Sequence, residues 1–457
     1  MDAVVVIFVT GLISLFLGMY HKPMLALTSN LLGLSTAFTL FFLYGTYNSV
    51  LKSHFFSLVY DGTGVLLSLL SILMTAMVLI MGYTSQAQDR NSYADLTSLM
   101  MFSLTGALCL IGFRDFFMFF IGLEILSIPV YVLVGSRRGN RASAEAALKY
   151  FFTGSFATAI LLFGIALVFG ATGSFNINEI GFAILSGLYT PELMIPGALM
   201  ILAALLFKVG AFPFHFWTAD VYEGSSKPVL AFMSTTVKIA GLFAMVQLMG
   251  TIFGNLKGNW EVILYVVIIV TLFLGYLSAI QQKSLKRLLA YSGISNTGIA
   301  LLSILSGADH GSRNIVIFLL AYGASALILL VVAQFAQDEE KDIEELKGIG
   351  YRSPVLGVAL LIALLSLSGI PPFSGFFGKL LLIQDVLVDH PVLSICAVLS
   401  SVIGAYVYIK LLLHFFDKES TLKDVRINVA SIIVISVASL LLIGIISSTL
   451  YEKLISL

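Results

Sequence analysis

The sequence predicts an all-α, polytopic membrane protein of about fourteen transmembrane helices, with two inverted five-helix repeats and two broken helices. Three observations carry that expectation. Hydrophobic residues fill 59% of the 457 positions and charged ones only 11%, with mean hydropathy +1.01, whereas soluble domains carry about 25% charge. The apolar residues gather into runs near the roughly 20 residues needed to cross the hydrocarbon core. Two of those runs are interrupted by proline, each time close to a lysine.

In chain order the runs cover 3–20, 24–46, 58–83, 95–113, 115–134, 145–170, 194–214, 228–253, 260–281, 287–306, 313–336, 353–386, 391–416 and 428–450. The fourth and fifth abut across Phe113-Arg114-Asp115. Met1-Asp2-Ala3 lacks the basic stretch and small-residue cleavage site of a signal peptide, so the first run is expected to remain as a helix.

Basic residues in the loops set the orientation. One side holds 15: Lys22, Arg90, Arg137, Arg138, Arg141, Lys227, Lys283, Lys286, Arg287, Lys341, Lys347, Arg352, Lys418, Lys423 and Arg426. The other holds 5, Lys52, Arg114, Lys257, Arg313 and Lys453. That asymmetry places both termini on the outer face. The mixed-charge stretch 337–352 reads as a solvated helix or a partner's docking site.

Phe212-Pro213-Phe214 interrupts the seventh run and Gly369-Ile370-Pro371-Pro372 the twelfth. Proline removes a backbone donor, and irregular backbone at membrane depth persists only inside protein or beside a water-filled cavity. The breaks lie five helices apart, so their helices run in opposite directions, as in an inverted repeat. The expected units are 1–94 (three helices), 95–253 (helices four to eight), 260–417 (helices nine to thirteen) and 428–457 (a last helix).

Glu124, Lys208, Lys238 and Lys379 lie near the centres of apolar runs. A charge there costs about 2.5–3.5 kcal/mol. Four without partners would cost on the order of 10 kcal/mol, comparable to the stability of a typical domain, so their presence points to function. Removal from water disfavours the charged form of an amine and a nearby carboxylate restores it, which makes a row of such groups suited to relaying protons. Lys149 follows Glu145 by four residues, the spacing of a local ion pair. His215 lies seven residues beyond Lys208, nominally on the same helical face. Lys410 sits two turns from the basic side, where a long side chain can reach the surface.

Other classes find no support. Cys109 and Cys396 occupy separate runs, and an iron–sulfur cluster needs about four such ligands. No glycine-rich nucleotide loop follows a strand pattern, no metal-ligand spacing occurs, and a balance of 25 basic against 25 acidic residues points to no nucleic acid.

The string Phe207-Lys208-Val209-Gly210-Ala211-Phe212-Pro213-Phe214-His215-Phe216-Trp217, continuing to Asp220-Val221-Tyr222-Glu223-Gly224, resembles the seventh-helix signature of the antiporter-like membrane subunits of respiratory complex I (NADH:quinone oxidoreductase), in particular its subunit N group. Gly122-Leu123-Glu124, Ala144 to Tyr150, Lys238-Ile239-Ala240, Lys286 to Ser292 and Gly369 to Lys379 extend the resemblance over nearly the full length. It implies a fourteen-helix proton-translocating subunit in a bacterial inner membrane, with relay residues Glu124, Lys149, Lys208, His215, Lys238 and Lys379. It also implies no cofactor in this chain, with NADH, flavin, iron–sulfur clusters and quinone in other subunits, and partners among the other membrane subunits, including antiporter-like ones, and lipids. M-like relatives carry Glu at the position of Lys379, and L-like ones a long lateral helix beyond the core. One position departs: Asn296 stands where the family motif has histidine, and an amide carries no proton at neutral pH. Two other functions remain open, a sodium/proton antiporter subunit and a structural scaffold whose charges only pair.

Overall fold

The computed structural model describes residues 2–47, 51–52, 57–85, 92–306, 308–335, 342–418 and 428–443. Arg90, Lys341, Lys423, Arg426, Lys453, the start of the 337–352 stretch and the end of the last run lie outside them. The chain is all-helical apart from one short hairpin, β1 (Leu51–Lys52) with β2 (Val59–Tyr60).

Helices α1 (Ala3–Met19), α2 (Pro23–Tyr47) and α3 (Gly62–Ser85) form the N-terminal group. Then come α4 (Tyr93–Gly112), α5 (Phe116–Val134), α6 (Arg141–Thr172), α7 (Ile177–Ser186), α8 (Pro191–Val209) and α9 (Phe216–Gly224). The eighth run is α10 (Lys227–Phe232) and α11 (Lys238–Met245), with π-helical turns at Met233–Val237 and Val246–Ile252. The second half follows as α12 (Lys257–Ala279), α13 (Leu285–Leu305), α14 (Ala308–Ala333), α15 (Asp342–Glu345), α16 (Ile349–Arg352), α17 (Pro354–Ser368), α18 (Ser374–Asp385), α19 (Pro391–Phe415) and α20 (Val429–Ile443). Eleven helical spans among the described residues are long and apolar enough to cross a bilayer, or twelve if the bent pair Ile343–Arg352 and Pro354–Ser368 counts as one. The others are shorter than a full span or divided by a break.

Local chemistry sets several boundaries. Asp115 caps α5, its carboxylate accepting from Met118 N at 2.6 Å, which is how α4 and α5 separate across three residues. Asn140 caps α6 by accepting from Ser143 N, starting that helix at Arg141, four residues before the apolar run. The ten-residue α7 fills a stretch the sequence reading leaves as loop, capped by Asn176 and stopped at Gly187. Pro129 lies inside α5, yet the helix continues through it to Val134. The mixed-charge stretch does not form one solvated helix. Its described part makes the short α15 and α16, and Lys347 pairs with Asp417 at 3.3 Å while His414 Nε2 meets the Ile343 carbonyl at 3.0 Å. The axis then turns by 115° into α17.

Burial separates centre from rim. The window of Lys227–Ile252 is 94% buried and so is that of Leu285–Leu305, against 33% for Arg141–Thr172. The lipid-facing side of α6 accordingly exposes Phe152, Phe156 and Phe163. Charged groups collect at two ends: Lys149, Asp220, Glu223 and Arg287 at one, and Lys257, Glu261 and His390 at the other. Lys286 and Arg287 on one side and Lys257 on the other match the sides assigned from loop charge.

Helix α12 approaches α13 so closely that a Cβ on Gly275 would lie 2.5 Å from the backbone of Ser295 and Tyr291. Membrane helices without a solvent-driven force between them rely on such close backbone packing. Gly275→Val should lower the thermal midpoint of the detergent-solubilised protein by an amount equivalent to about 1–3 kcal/mol, the usual cost of overpacking. Gly258→Ala, where a Cβ meets nothing within 4 Å, should leave it unchanged; equal midpoints for both variants would refute this packing account.

Candidate functional site

Both breaks begin at a glycine: Gly369 opens the second, as read from the sequence, and Gly210 opens the first, two residues before the segment read from the sequence. α8 ends at Val209 with Gly210 left-handed (φ 70°), and α17 ends at Ser368 with Gly369 left-handed (φ 74°). A left-handed C-terminal residue favours glycine because it has no Cβ to clash. The prolines then leave specific carbonyls without an i+4 donor. For Val209 that donor position is Pro213, and Thr297 Oγ1 of α13 donates to the carbonyl instead at 3.2 Å. For Leu367 it is Pro371, and Lys379 Nζ donates to the carbonyl at 2.6 Å. Thr271 of α12 also serves the first break, accepting from Phe212 N at 3.1 Å. The second half of the chain thus completes the backbone of the first.

Lys208, on the last turn of α8, is 7% exposed. Its amine donates to Ser127 Oγ of α5 at 2.6 Å, and Ser127 in turn donates to the Leu123 carbonyl. That second bond turns a lone pair of the hydroxyl toward the lysine. Glu124, half-buried on the same helix, accepts from Thr158 Oγ1 of α6 at 2.9 Å and lies within electrostatic reach of Lys208. Glu124 and Lys208 form no direct ion pair: the amine rests instead on Ser127, three residues beyond Glu124 on the same helix.

Lys238 begins α11 directly after a π-helical turn, a feature frequent at functional sites. Its amine donates to the Gly293 carbonyl at 2.7 Å and to Tyr322 Oη at 3.4 Å, and lies 4.6 Å from the Tyr322 ring centre. Lys379, 5% exposed on α18, is held by the break. Between these arms Asn296 donates to the Ser292 carbonyl at 2.9 Å and to Tyr408 Oη at 3.2 Å, and accepts from Tyr276 Oη at 3.4 Å.

Lys149 forms the local pair its spacing suggests, whereas His215 departs from the expected arrangement. Lys149 is 45% exposed and pairs with Glu145 at 2.7 Å and with Asp220 at 2.9 Å. Asp220 also meets Arg287 at 3.5 Å, and Arg287 meets Glu223 at 2.6 Å. His215 is buried between the Phe212 and Phe216 rings and makes no hydrogen bond or ion pair with Lys208. Its seven-residue spacing fails as a same-face argument because the helix stops at Gly210. Lys410 lies exposed on α19. Sequence reasoning missed Ser127, Thr158, Tyr322 and the Asp220–Arg287–Glu223 cluster. Ser127 sits three residues after Glu124 and was the one visible signal among them. Among the described residues no group of three or more His, Cys, Asp or Glu could hold a metal ion.

The fold and these buried amines define a multi-pass helical membrane protein with buried lysines at its interrupted helices. Residues 114–404 match the family described as NADH:quinone oxidoreductase/Mrp antiporter, TM. The chain is 32% identical to NADH-quinone oxidoreductase subunit N of Flavobacterium psychrophilum, over 99% of this chain and 100% of that one. It is similar to a chain of respiratory complex I from Thermus thermophilus with bound aureothin, with TM-score 0.84, 29% identity, and coverage of 97% and 96%. An archaeal membrane-bound sulfane sulfur reductase complex contains a chain of the same fold, with TM-score 0.88, 22% identity, and coverage of 99% and 96%. The chain belongs to the NADH:quinone oxidoreductase/Mrp antiporter family of membrane subunits.

Ser127→Ala removes the acceptor of the Lys208 amine. Leaving a buried donor without its partner costs about 1–3 kcal/mol, so the thermal midpoint of the solubilised protein should fall accordingly. Ser127→Thr, which keeps the hydroxyl, should lose less. A midpoint unmoved by Ser127→Ala would mean that another group holds the amine.

Proposed function

We propose that this chain is a proton-translocating membrane subunit of a quinone-reducing respiratory complex of the complex I type, working beside other membrane subunits, antiporter-like ones among them. The observation that carries this reading is the placement of Lys208 and Lys379 at the two helix breaks, in a chain alignable end to end with a subunit N relative. On this reading the relay comprises Glu124, Lys208, Lys238 and Lys379, with Lys149 and His215 at its margin. Each amine rests on a neutral oxygen, so it remains a donor whether protonated or not and keeps its place when a proton leaves. Electron transfer belongs to partner subunits that hold NADH, flavin, iron–sulfur clusters and quinone. Cys109 and Cys396, on separate helices, offer no ligand set for such a cluster.

The finer architecture belongs to the same proposal: fourteen spans with both termini on the outer face of a bacterial inner membrane, and inverted repeats over 95–253 and 260–417. The matching of Gly210 and Gly369, each followed by proline and accompanied by a buried lysine, supports the repeat. Cysteine substitutions at Ser136 and Ser312 should be labelled from opposite faces by a membrane-impermeant reagent; labelling from one face would overturn this topology.

The sharpest test is Lys208. Lys208→Met, similar in volume but without an amine, should reduce proton translocation in vesicles at least tenfold, with assembly on native gels intact. Lys208→Arg should also impair it, because guanidinium stays protonated, with a pKa above about 12. Glu124→Gln should have a comparable or milder effect. A Lys208→Met protein that assembles and pumps at the native rate assigns Lys208 to structure alone. The family also covers Mrp antiporters; stimulation of transport by sodium would favour that second function.

A further inference from the structure

Lys208 and Lys238 face away from each other. The Lys208 amine is turned toward Ser127 and the Glu124 side, the Lys238 amine toward Gly293 and Tyr322. Neither donates to the other, so a proton passing between them needs an intermediary. Between them lies a cavity of about 20 Å³, lined by both lysines and by Tyr150, Trp217, Thr218 and Tyr222. That volume suffices for one water, which needs about 10–15 Å³ and two to four polar partners.

Two residues of this lining each carry a deeply buried hydroxyl with no hydrogen-bond partner among the described residues: Tyr150 Oη and Thr218 Oγ1. Tyr150 is 1% exposed and Thr218 5%. Burying a hydroxyl without a partner costs about 1–3 kcal/mol, so two such groups on one small cavity call for a shared ligand. Both are also fixed in place. Tyr150 stacks on Trp217 with centroids 4.5 Å apart and meets Tyr131 edge-on at 4.8 Å, and Trp217 donates to the Phe207 carbonyl at 3.1 Å. Thr218 lies so close to Gly210 that a Cβ there would come 2.8 Å from its hydroxyl.

We infer that Tyr150 and Thr218 form a water-binding site between Lys208 and Lys238 and act as positioning residues for proton transfer across the first break. This rests on the relay reading of the two lysines. The step balances with one water. An N–H bond of the Lys208 ammonium breaks and its proton joins a lone pair of the water. A different O–H bond of that water breaks, and its proton joins the neutral amine of Lys238. The water is regenerated and one positive charge has moved, while the two hydroxyls hold the oxygen in line.

The test uses the assembled complex in proteoliposomes, reading proton translocation, uncoupled quinone reduction and native-gel assembly. Thr218→Val is nearly isosteric and removes only the hydroxyl, as does Tyr150→Phe. Each should slow proton translocation several-fold, and the double variant tenfold or more, with assembly intact. Thr218→Ser should stay within twofold of native. A high-resolution map of the native complex should show solvent density within hydrogen-bond distance of both hydroxyls. If Lys208→Met abolishes pumping while the double variant pumps within twofold of native, the water site is refuted and the relay stands. If Lys208→Met itself pumps at the native rate, the relay falls and this inference with it. Failure of Thr218→Ser to the same degree as Thr218→Val would assign Thr218 to packing against Gly210 and overturn the proposal. Should the double variant not assemble, Thr218→Val alone and the native map decide.

Discussion

The structure turns on one constraint: an amine inside the hydrocarbon region must find its acceptor in the protein. Three buried or half-buried lysines meet it in the same manner, on a neutral oxygen. Lys208 uses a serine hydroxyl, Lys238 and Lys379 use backbone carbonyls. A carboxylate partner would strengthen the charged form and hold the proton in place. A neutral acceptor holds both an ammonium and an amine, the ammonium more strongly, because both keep N–H donors. The geometry therefore survives a change of protonation, as the proposed relay requires.

The breaks are the source of these acceptors, and the two are used differently. Proline at position 371 frees the Leu367 carbonyl, and the Lys379 side chain reaches back twelve residues to occupy it. Proline at position 213 frees the Val209 carbonyl, but Thr297 takes it and Lys208 turns to α5. The second half thus carries a lysine locked to its own break, while the first frees its lysine to engage a neighbouring helix near Glu124. Within the second half Asn296 is enclosed by Ser292, Tyr276 and Tyr408. Its amide has neutral partners on both sides, so it orders the two tyrosine hydroxyls without carrying charge.

Much of this was legible in the sequence because its physics is local. Apolar runs mark spans, and proline beside a buried lysine marks a break; both need only a window of about twenty residues. Lys208 and Lys379 were found that way. Three kinds of feature were not legible. The first break starts at Gly210, two residues before the Phe212-Pro213-Phe214 read from the sequence, because its left-handed backbone ends the helix there, and glycine alone does not announce that role among 39 glycines. Ser127, Thr158 and Tyr322 matter through contacts 34 to 84 residues distant, and hydroxyls in apolar helices usually bond their own preceding turn. His215 was placed on the Lys208 face by helical phase, which has no meaning across a break.

Lys149 shows how tertiary partners redirect a residue that sequence context makes ambiguous. The i,i+4 spacing to Glu145 suggested a local pair, and that pair forms, but Asp220 shares the same amine. Asp220 belongs to α9, the half-helix beyond the first break, and it also meets Arg287 of α13. Exposed pairs of this kind contribute about 0–1 kcal/mol each, too little to hold a helix in place by energy alone. Their effect is geometric. α9 is only nine residues long and is joined to α8 through an irregular segment, so its own backbone does not fix its direction. Lys149 of α6 and Arg287 of α13 meet it on two sides, and buried contacts add to them: Trp217 donates to the Phe207 carbonyl at 3.1 Å and stacks on Tyr150 of α6, beside the space between Lys208 and Lys238. The surface cluster and the buried cavity therefore share one short helix: Asp220 joins α9 to the exposed cations, while Trp217 and Thr218 wall the cavity.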